Sequence, residues 1–303
     1  MKPVNKILMG AGFGLALAAG GCSHERDGCL PERNAPENKS EGLETKIERL
    51  VAKQAMNAPV KDWDEIGEIV LSTTKELTGR DLSKTKVRIL GEKEAEKYFG
   101  GRDSDGEYTA GKRSPVTGEI LLRRMNVWQS LFVSYHEMAH SFTNRGKQLN
   151  LERFASALKE RGETSSLAEM RFILDNPWTR EHYEEKIMLE ASCESFARWA
   201  LSHMHEKYLL KGNLGGYLVL SEQATGKESV YGMVNELCND IYSSLRNEDG
   251  KASCIDLLGL THRTIEGAKD YQEIKGRLSE KTRKRADEFI KGYLEMQEKA
   301  GSK

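Results

Sequence analysis

Between Trp128 and Thr143 the chain reads W-Q-S-L-F-V-S-Y-H-E-M-A-H-S-F-T. Trp128, Leu131, Phe132, Tyr135, Ala139 and Phe142 recur at helical spacing, which predicts a helix with one stripe turned to a core. His136, Glu137 and His140 stand beside that stripe as the pattern H-E-x-x-H. Residues i and i+4 lie one turn apart on one face, so both imidazoles can reach a single tetrahedral metal. Glu137 falls on the neighbouring side, where a carboxylate can take a proton from a water held at that metal. Two neutral imidazoles, a carboxylate and an open water position suit zinc. So short a pattern also arises by chance, and its weight depends on the rest of the constellation.

Zinc needs a third protein ligand. A second amphipathic helix is expected from about Glu184 to Leu210, and it carries E-A-S-C-E-S-F-A-R-W-A from Glu190. Glu190 and Glu194 are again i and i+4, and two like charges one turn apart repel unless something positive lies beside them. Zinc bound by Glu190, with Glu194 holding the ring N–H of a ligand histidine, resolves that conflict. The plainer alternative is a solvated acidic face. Phe196, Trp199 and Ala200 argue against it, because they imply a helix too buried for unpaired carboxylates.

H-E-M-A-H followed 50 residues later by E-A-S-C-E-S-F resembles the glutamate-ligand zincins, the gluzincins. The tail is most similar to the branch with the anthrax lethal factor protease domain and the Pro-Pro endopeptidases. In that branch the ligand glutamate opens an E-x-x-x-E-x-F run and a tyrosine lies seven residues before it. Tyr183 lies seven residues before Glu190. The resemblance implies that Tyr183 donates its phenolic O–H to the oxyanion formed when water attacks the peptide carbonyl; a tyrosine met alone would read as a packing residue. The resemblance runs over roughly residues 85–200 and is carried by motifs. It departs at Cys193, where a small residue is expected.

At the start of the chain, Lys2 and Lys6 precede an apolar stretch from Ile7 to Ala19, followed by A-G-G-C ending at Cys22. A basic start, a short apolar run and small residues before a cut mark a secretory signal over 1–21. A cysteine directly after Ala19-Gly20-Gly21 resembles the bacterial lipobox, which makes Cys22 the lipid attachment point, although Ala19 is a weaker choice there than leucine. An ordinary signal cut near the same place is the alternative. The apolar run is shorter than the ~20 residues that a spanning helix needs. Residues 22–44 turn to Pro, Asn, Glu, Lys and Ser, the composition of a flexible tether between lipid and domain.

The remaining ~260 residues, 45–303, exceed the usual single-domain size and suit a two-lobed enzyme with its site between the lobes. Without Lys2 and Lys6, 44 basic residues face 47 acidic ones, a balance of −3 that does not point to nucleic acid. The front lobe, about 45–143, is expected to hold a helix from Glu44 to about Leu77 broken near Pro59, a strand Lys86–Leu90 and a short helix Glu92–Tyr98. G-E-Y-T-A-G and G-E-I-L-L-R-R, separated by Ser114-Pro115-Val116-Thr117-Gly118, read as a hairpin. By the resemblance, that hairpin is the sheet edge that pairs with an extended peptide substrate, which is β-augmentation. Asp103, Asp105 and Glu107 lack the full calcium-loop pattern and read as a polar turn.

The back lobe, about 144–303, is expected to be helical, with helices Arg198–Leu210, Ser229–Leu245 and Ser279–Glu298. L-G-G-Y-L-V-L after Gly212 could form a loop lining the site. His203 and His205 do not continue the ligand face and read as surface residues, and Lys281–Arg285 reads as a solvated basic face. Cys29, Cys193, Cys238 and Cys254 show no C-x-x-C spacing. An extracytoplasmic address permits disulfides, and Cys238 with Cys254 is the most local pairing.

The expectation is therefore a mainly helical α+β protein with a zincin-like fold, a small mixed sheet in front and helices behind. Its expected function is that of a lipid-anchored, extracytoplasmic zinc endopeptidase holding one zinc per chain through His136, His140 and Glu190. Glu137 is its general base, Tyr183 its oxyanion donor and Glu194 the support of a ligand histidine. Its partners are a peptide or protein substrate and, through Cys22, a membrane. Two rivals belong to other classes. A metal-binding lipoprotein would use the same ligands without needing Glu137. A catalytically inactive zincin-like binding module would usually have lost a ligand or the base, and here all are present.

Overall fold

The computed structural model describes residues 64–80, 82, 85–99, 111–113, 119–125, 127–143, 180–208 and 230–301, together with Thr45. The signal, the tether, Cys22, Cys29, the acidic turn at Asp103 and the Gly212 loop lie outside the described residues. Among those described, no helix is long and apolar enough to cross a membrane.

Helix α1 (Asp64–Thr78) turns Ile66, Ile69, Val70, Thr73 and Thr74 inward at three- and four-residue steps. Gly79 stops it: φ is +68° there, and its N–H reaches back to the Lys75 carbonyl at 2.8 Å, a left-handed cap that favours glycine. Strand β1 (Val87–Leu90) and helix α2 (Glu92–Phe99) follow. Strands β2 (Gly111–Arg113) and β3 (Ile120–Arg123) then pair antiparallel, from Gly111 opposite Leu122 to Arg113 opposite Ile120; a hairpin was expected here, but β2 shares only Gly111 with the expected first run, whose other residues lie outside those described. β3 also pairs parallel with β1, Val87 opposite Ile120, so the sheet order is β1-β3-β2 with β3 central.

Alternation along β3 decides what covers each face. Ile120 and Leu122 join the main core under the helices, whereas Leu121 joins Leu90 and Ala95 beneath α2. All four β3 residues are buried, the pattern of a strand covered on both sides. Arg123 lays its guanidinium 5.8 Å from the Phe99 ring centroid. A Cβ at Gly111 would meet Leu122 Cδ2 at 2.6 Å and Val133 Cγ1 at 2.7 Å, so only glycine allows the hairpin this close to the next helix.

That helix, α3 (Val127–Ala139), is buried nearly all round. It ends at Ala139 rather than at Thr143 as expected from the sequence. Ser141 N–H donates to Met138 and Phe142 N–H to Ala139, the three-residue reach that tightens and closes a last turn. His140 sits on that turn, its N–H 3.4 Å from the His136 carbonyl, so the one-turn spacing survives.

Helix α4 (Arg180–Tyr208) has 29 residues and is about 43 Å long, starting four residues before the expected boundary and running unbroken through Arg198. It is the spine of the molecule. Ile187, Met188 and Ala191 belong to the back core, with helices α5 (Val230–Glu248), α6 (Cys254–Gly267), α7 (Tyr271–Lys275) and α8 (Glu280–Gly301). Cys193, Phe196, Ala197, Ala200, Leu201 and Met204 belong to the front core, with α1, β3 and α3. Each large side chain fully buried there contributes roughly 1.5–3 kcal/mol.

Two helices, α6 and α7, occupy a stretch to which the sequence reading assigned none. Ser253 caps α6 by accepting from the Asp256 N–H at 3.1 Å, and Asp270 caps α7 by accepting from Glu273 at 3.0 Å. The expected Cys238–Cys254 disulfide does not form, because the two cysteines face different ways. Cys238 is buried with its thiol toward the Ala191 carbonyl at 3.6 Å, whereas Cys254 is exposed and accepts from the Tyr242 hydroxyl at 3.5 Å. His203 and His205 are half-buried at helix contacts rather than plain surface residues. His203 Nε2 lies 3.1 Å from Glu76 on α1, and the His205 ring lies 6.0 Å from that of Trp128.

Candidate metal centre

The centre forms where α3 ends against α4, at the turn where α4 passes from the back core to the front core. The apolar stripe of α3 lays that helix along α4, and its last turn presents His136 and His140 with ring centroids 5.1 Å apart. From the facing helix, Glu190 Oε2 lies 3.1 Å from His136 Nε2 and 3.7 Å from His140 Nε2. One donor atom from each of these three residues lies within 4.8 Å of the others, so the group could hold a metal ion.

Two of the three donor separations meet a simple geometric test. Ligand atoms about 2.1 Å from a tetrahedral ion stand about 3.4 Å from one another, and 3.1 and 3.7 Å bracket that figure. His136 and Glu190 are 4% and 9% exposed, so neither is a solvated charge. Burial alone would lower His136. Hydrogen bonds to Glu190 and Glu194 outweigh it and raise His136 to about 10. Burial likewise pushes Glu190 up, but the charge of His140 and the hydrogen bond to His136 bring it down to about 2.

Behind each imidazole a residue of the same α4 turn meets the remote nitrogen. His136 Nδ1 faces Glu194 Oε2 at 3.6 Å, and among the described residues neither atom has another hydrogen-bond partner. His140 Nδ1 faces Cys193 Sγ at 3.3 Å. Glu194 is 2% exposed, and Arg198 neutralises it one turn on: Arg198 Nε and Nη2 both donate to Glu194 Oε1 at 3.2 Å. Arg198 is anchored in turn by α5, donating to Asn239 Oδ1 at 2.7 Å and to Asn235 Oδ1. The buried carboxylate thus has both a charge partner and a fixed orientation.

Glu137 is not one of the three donors. It is half-buried, and its charge raises His136, Cys193 and Tyr231, which places it beside the centre. Tyr183 stands two turns before Glu190 on α4. It is 3% exposed in the back core, with its ring 5.0 Å from that of Tyr293.

Sequence reasoning did not single out Tyr231, Arg198, Asn235 or Asn239. Tyr231 opens α5 with its ring 6.0 Å from that of His136. Burial, then the charges of Glu190 and Glu137, push its phenol well above the ordinary value. Arg198 had a readable signal, its i+4 step from Glu194. Tyr231 and the two asparagines had none, since only folding brings α5 to α4.

Burial, with Glu190 and Glu137 beside it, pushes the Cys193 thiol well above its ordinary value, which keeps it protonated. No family model, no curated protein and no solved structure matches the chain.

Proposed function

We propose that this protein is a zinc-dependent endopeptidase of the gluzincin type, with a zincin-like fold, held at the outer face of a membrane by a lipid on Cys22. The observation that carries the reading is the convergence of His136, His140 and Glu190, with a further carboxylate, Glu137, beside them but outside the donor set. A storage or structural site has no proton to move and no use for that fourth group, so Glu137 favours an enzyme over a metal-binding lipoprotein.

Zinc suits two imidazoles and one carboxylate, and when bound it supplies Lewis acidity, lowering the pKa of a water and polarising a carbonyl. Glu137 takes the proton of the attacking water and returns it to the leaving amine. Tyr183, in the role the gluzincin resemblance implies, donates its O–H to the developing oxyanion. Glu194, held by Arg198, fixes the His136 ring so that Nε2 is the ligating nitrogen. The β2–β3 hairpin supplies the edge for an extended peptide, since β2 has a partner on one side only in the described sheet. The substrate is a peptide or protein.

Incubating the full protein with a diverse peptide library, with and without a chelator, tests the proposal. Cleavage that stops on chelation and returns with zinc is the expected result. A zinc-loaded protein that cleaves nothing would leave the metal-binding lipoprotein as the better account.

A further inference from the structure

Cys193 is the one residue of the centre at which the sequence departs from the gluzincin pattern, and its position gives the departure a meaning. It lies three residues after Glu190 and one before Glu194, so the ligand and both residues behind the histidines share a single α4 turn. Its sulfur meets His140 Nδ1 at 3.3 Å, on the ring edge away from Glu190. The residue is fully buried, so no water competes for that nitrogen from its side. Among the described residues, Thr143 is a further polar side chain beside the sulfur.

Resting on the metal-centre reading, we infer that Cys193 is the positioning residue of His140: its sulfur accepts the Nδ1–H and so turns Nε2 toward the metal. An imidazole whose Nδ1 carries the proton presents Nε2 as the free donor, so fixing the tautomer fixes the ligand. A smaller residue at this place would take the sulfur away from that nitrogen. The two histidines are therefore supported unequally. His136 has a carboxylate behind it, backed by Arg198, whereas His140 has a cysteine sulfur, a weak acceptor.

The test uses the full protein and three substitutions. Cys193→Ala removes the acceptor, Cys193→Val removes it while keeping the space filled, and Cys193→Ser keeps an acceptor. Zinc affinity is measured by competition with a chelator, and the His140 ring N–H is followed by nitrogen–proton NMR of zinc-loaded protein labelled at histidine. Loss of this support lowers zinc affinity by about tenfold, the low end of the range for groups behind a ligand. The expected result is that Cys193→Ala and Cys193→Val both show this loss and lose the protected Nδ1–H signal, while Cys193→Ser keeps both near wild type. Melting of the chelator-treated proteins checks folding, and Cys193→Val decides the matter if Cys193→Ala does not fold. Wild-type affinity and an unchanged ring signal in a folded Cys193→Val protein would overturn the role of Cys193 alone. A wild-type protein that binds no zinc would overturn the metal centre with it.

Discussion

His136 Nε2 lies 3.1 Å from Glu190 Oε2, joining two helices across 54 residues of chain. The contact ties the end of α3 to the middle of α4 where both are buried, and an unpaired carboxylate there would cost several kcal/mol. Both groups are shifted toward their charged forms, His136 to about 10 and Glu190 to about 2, with burial opposing each shift. A second imidazole lies 3.7 Å from the same carboxylate, so the three donors converge closely enough to hold a cation once the imidazoles are neutral.

The two glutamates of α4 hold different posts, and substitution separates them. Under the proposed function, Glu190→Ala removes a ligand, whereas Glu194→Ala removes the support behind His136, a loss of ~10–100-fold in metal affinity. Elemental analysis of both purified variants should find zinc absent from Glu190→Ala and retained, more weakly, by Glu194→Ala. An empty Glu194→Ala beside a zinc-loaded Glu190→Ala would reverse the two assignments.

In the proposed mechanism, two phenols stand as rivals for the oxyanion. Tyr183 has the sequence spacing, and Tyr231 has the ring contact with His136. Tyr183→Phe keeps the packing against Tyr293 and deletes one hydroxyl. Steady-state kinetics should show kcat lowered by roughly 10²–10³ with KM little changed, the mark of a hydrogen bond made in the transition state. Tyr231→Phe should leave kcat nearly unchanged. The opposite pattern in the pair would transfer the role to Tyr231.

Anchoring is checked by labelling. Cells given a fatty-acid analogue should label the wild-type protein and not Cys22→Ser. Label that persists in the variant would remove the lipid attachment from the account.

His262 sets an acid limit on stability. Its ring packs between Phe196 and Trp199 at 5.3 and 5.8 Å and lies 3.2 Å from both the Ser192 carbonyl and the Ser195 hydroxyl. Burial lowers it to about 4; Glu266 and the Ser192 carbonyl oppose that shift, and Arg263 adds to it. The unfolded chain therefore binds a proton below about 6.5 that the folded protein refuses until about 4. The contribution is fully present above 6.5 and is lost as pH falls through that window, by at most about 3 kcal/mol. Denaturant unfolding in chelator should show a steeper loss between pH 6.5 and 4 for wild type than for His262→Gln. Equal slopes would mean that His262 is not the group responsible.

The parts of the centre that follow from helical spacing were legible in the sequence. His136, Glu137 and His140, and the pair Glu190 and Glu194, are each set by a one-turn step, and a step along one helix does not depend on the rest of the fold. The hairpin was legible only in part: Pro115 and Gly118 interrupt two extended runs, but β2 shares only Gly111 with the first of them. Helix α6 was not, in part because Gly259 stands inside it. A Cβ there would meet the Trp199 ring at 2.9 Å, so the glycine serves contact with α4, which no local pattern reports. Tyr231, Asn235 and Asn239 escaped for the same reason, lying on a helix that only tertiary packing brings to the ligands. The expected Cys238–Cys254 bridge failed because nearness in sequence says nothing about the face of a helix: Cys238 points into α4 and Cys254 outward.

The central claim is that a proton-moving carboxylate stands beside the metal ligands without being one of them. Glu137→Gln tests it most directly, because it keeps the size of the side chain and removes only its basicity. Zinc content and peptide cleavage are measured on the same preparations of wild type and variant. The account predicts about one zinc per chain in both, with cleavage by the variant lowered ~10²–10⁴-fold or more. Equal zinc in the two with equal cleavage, or with no cleavage by either, would contradict it.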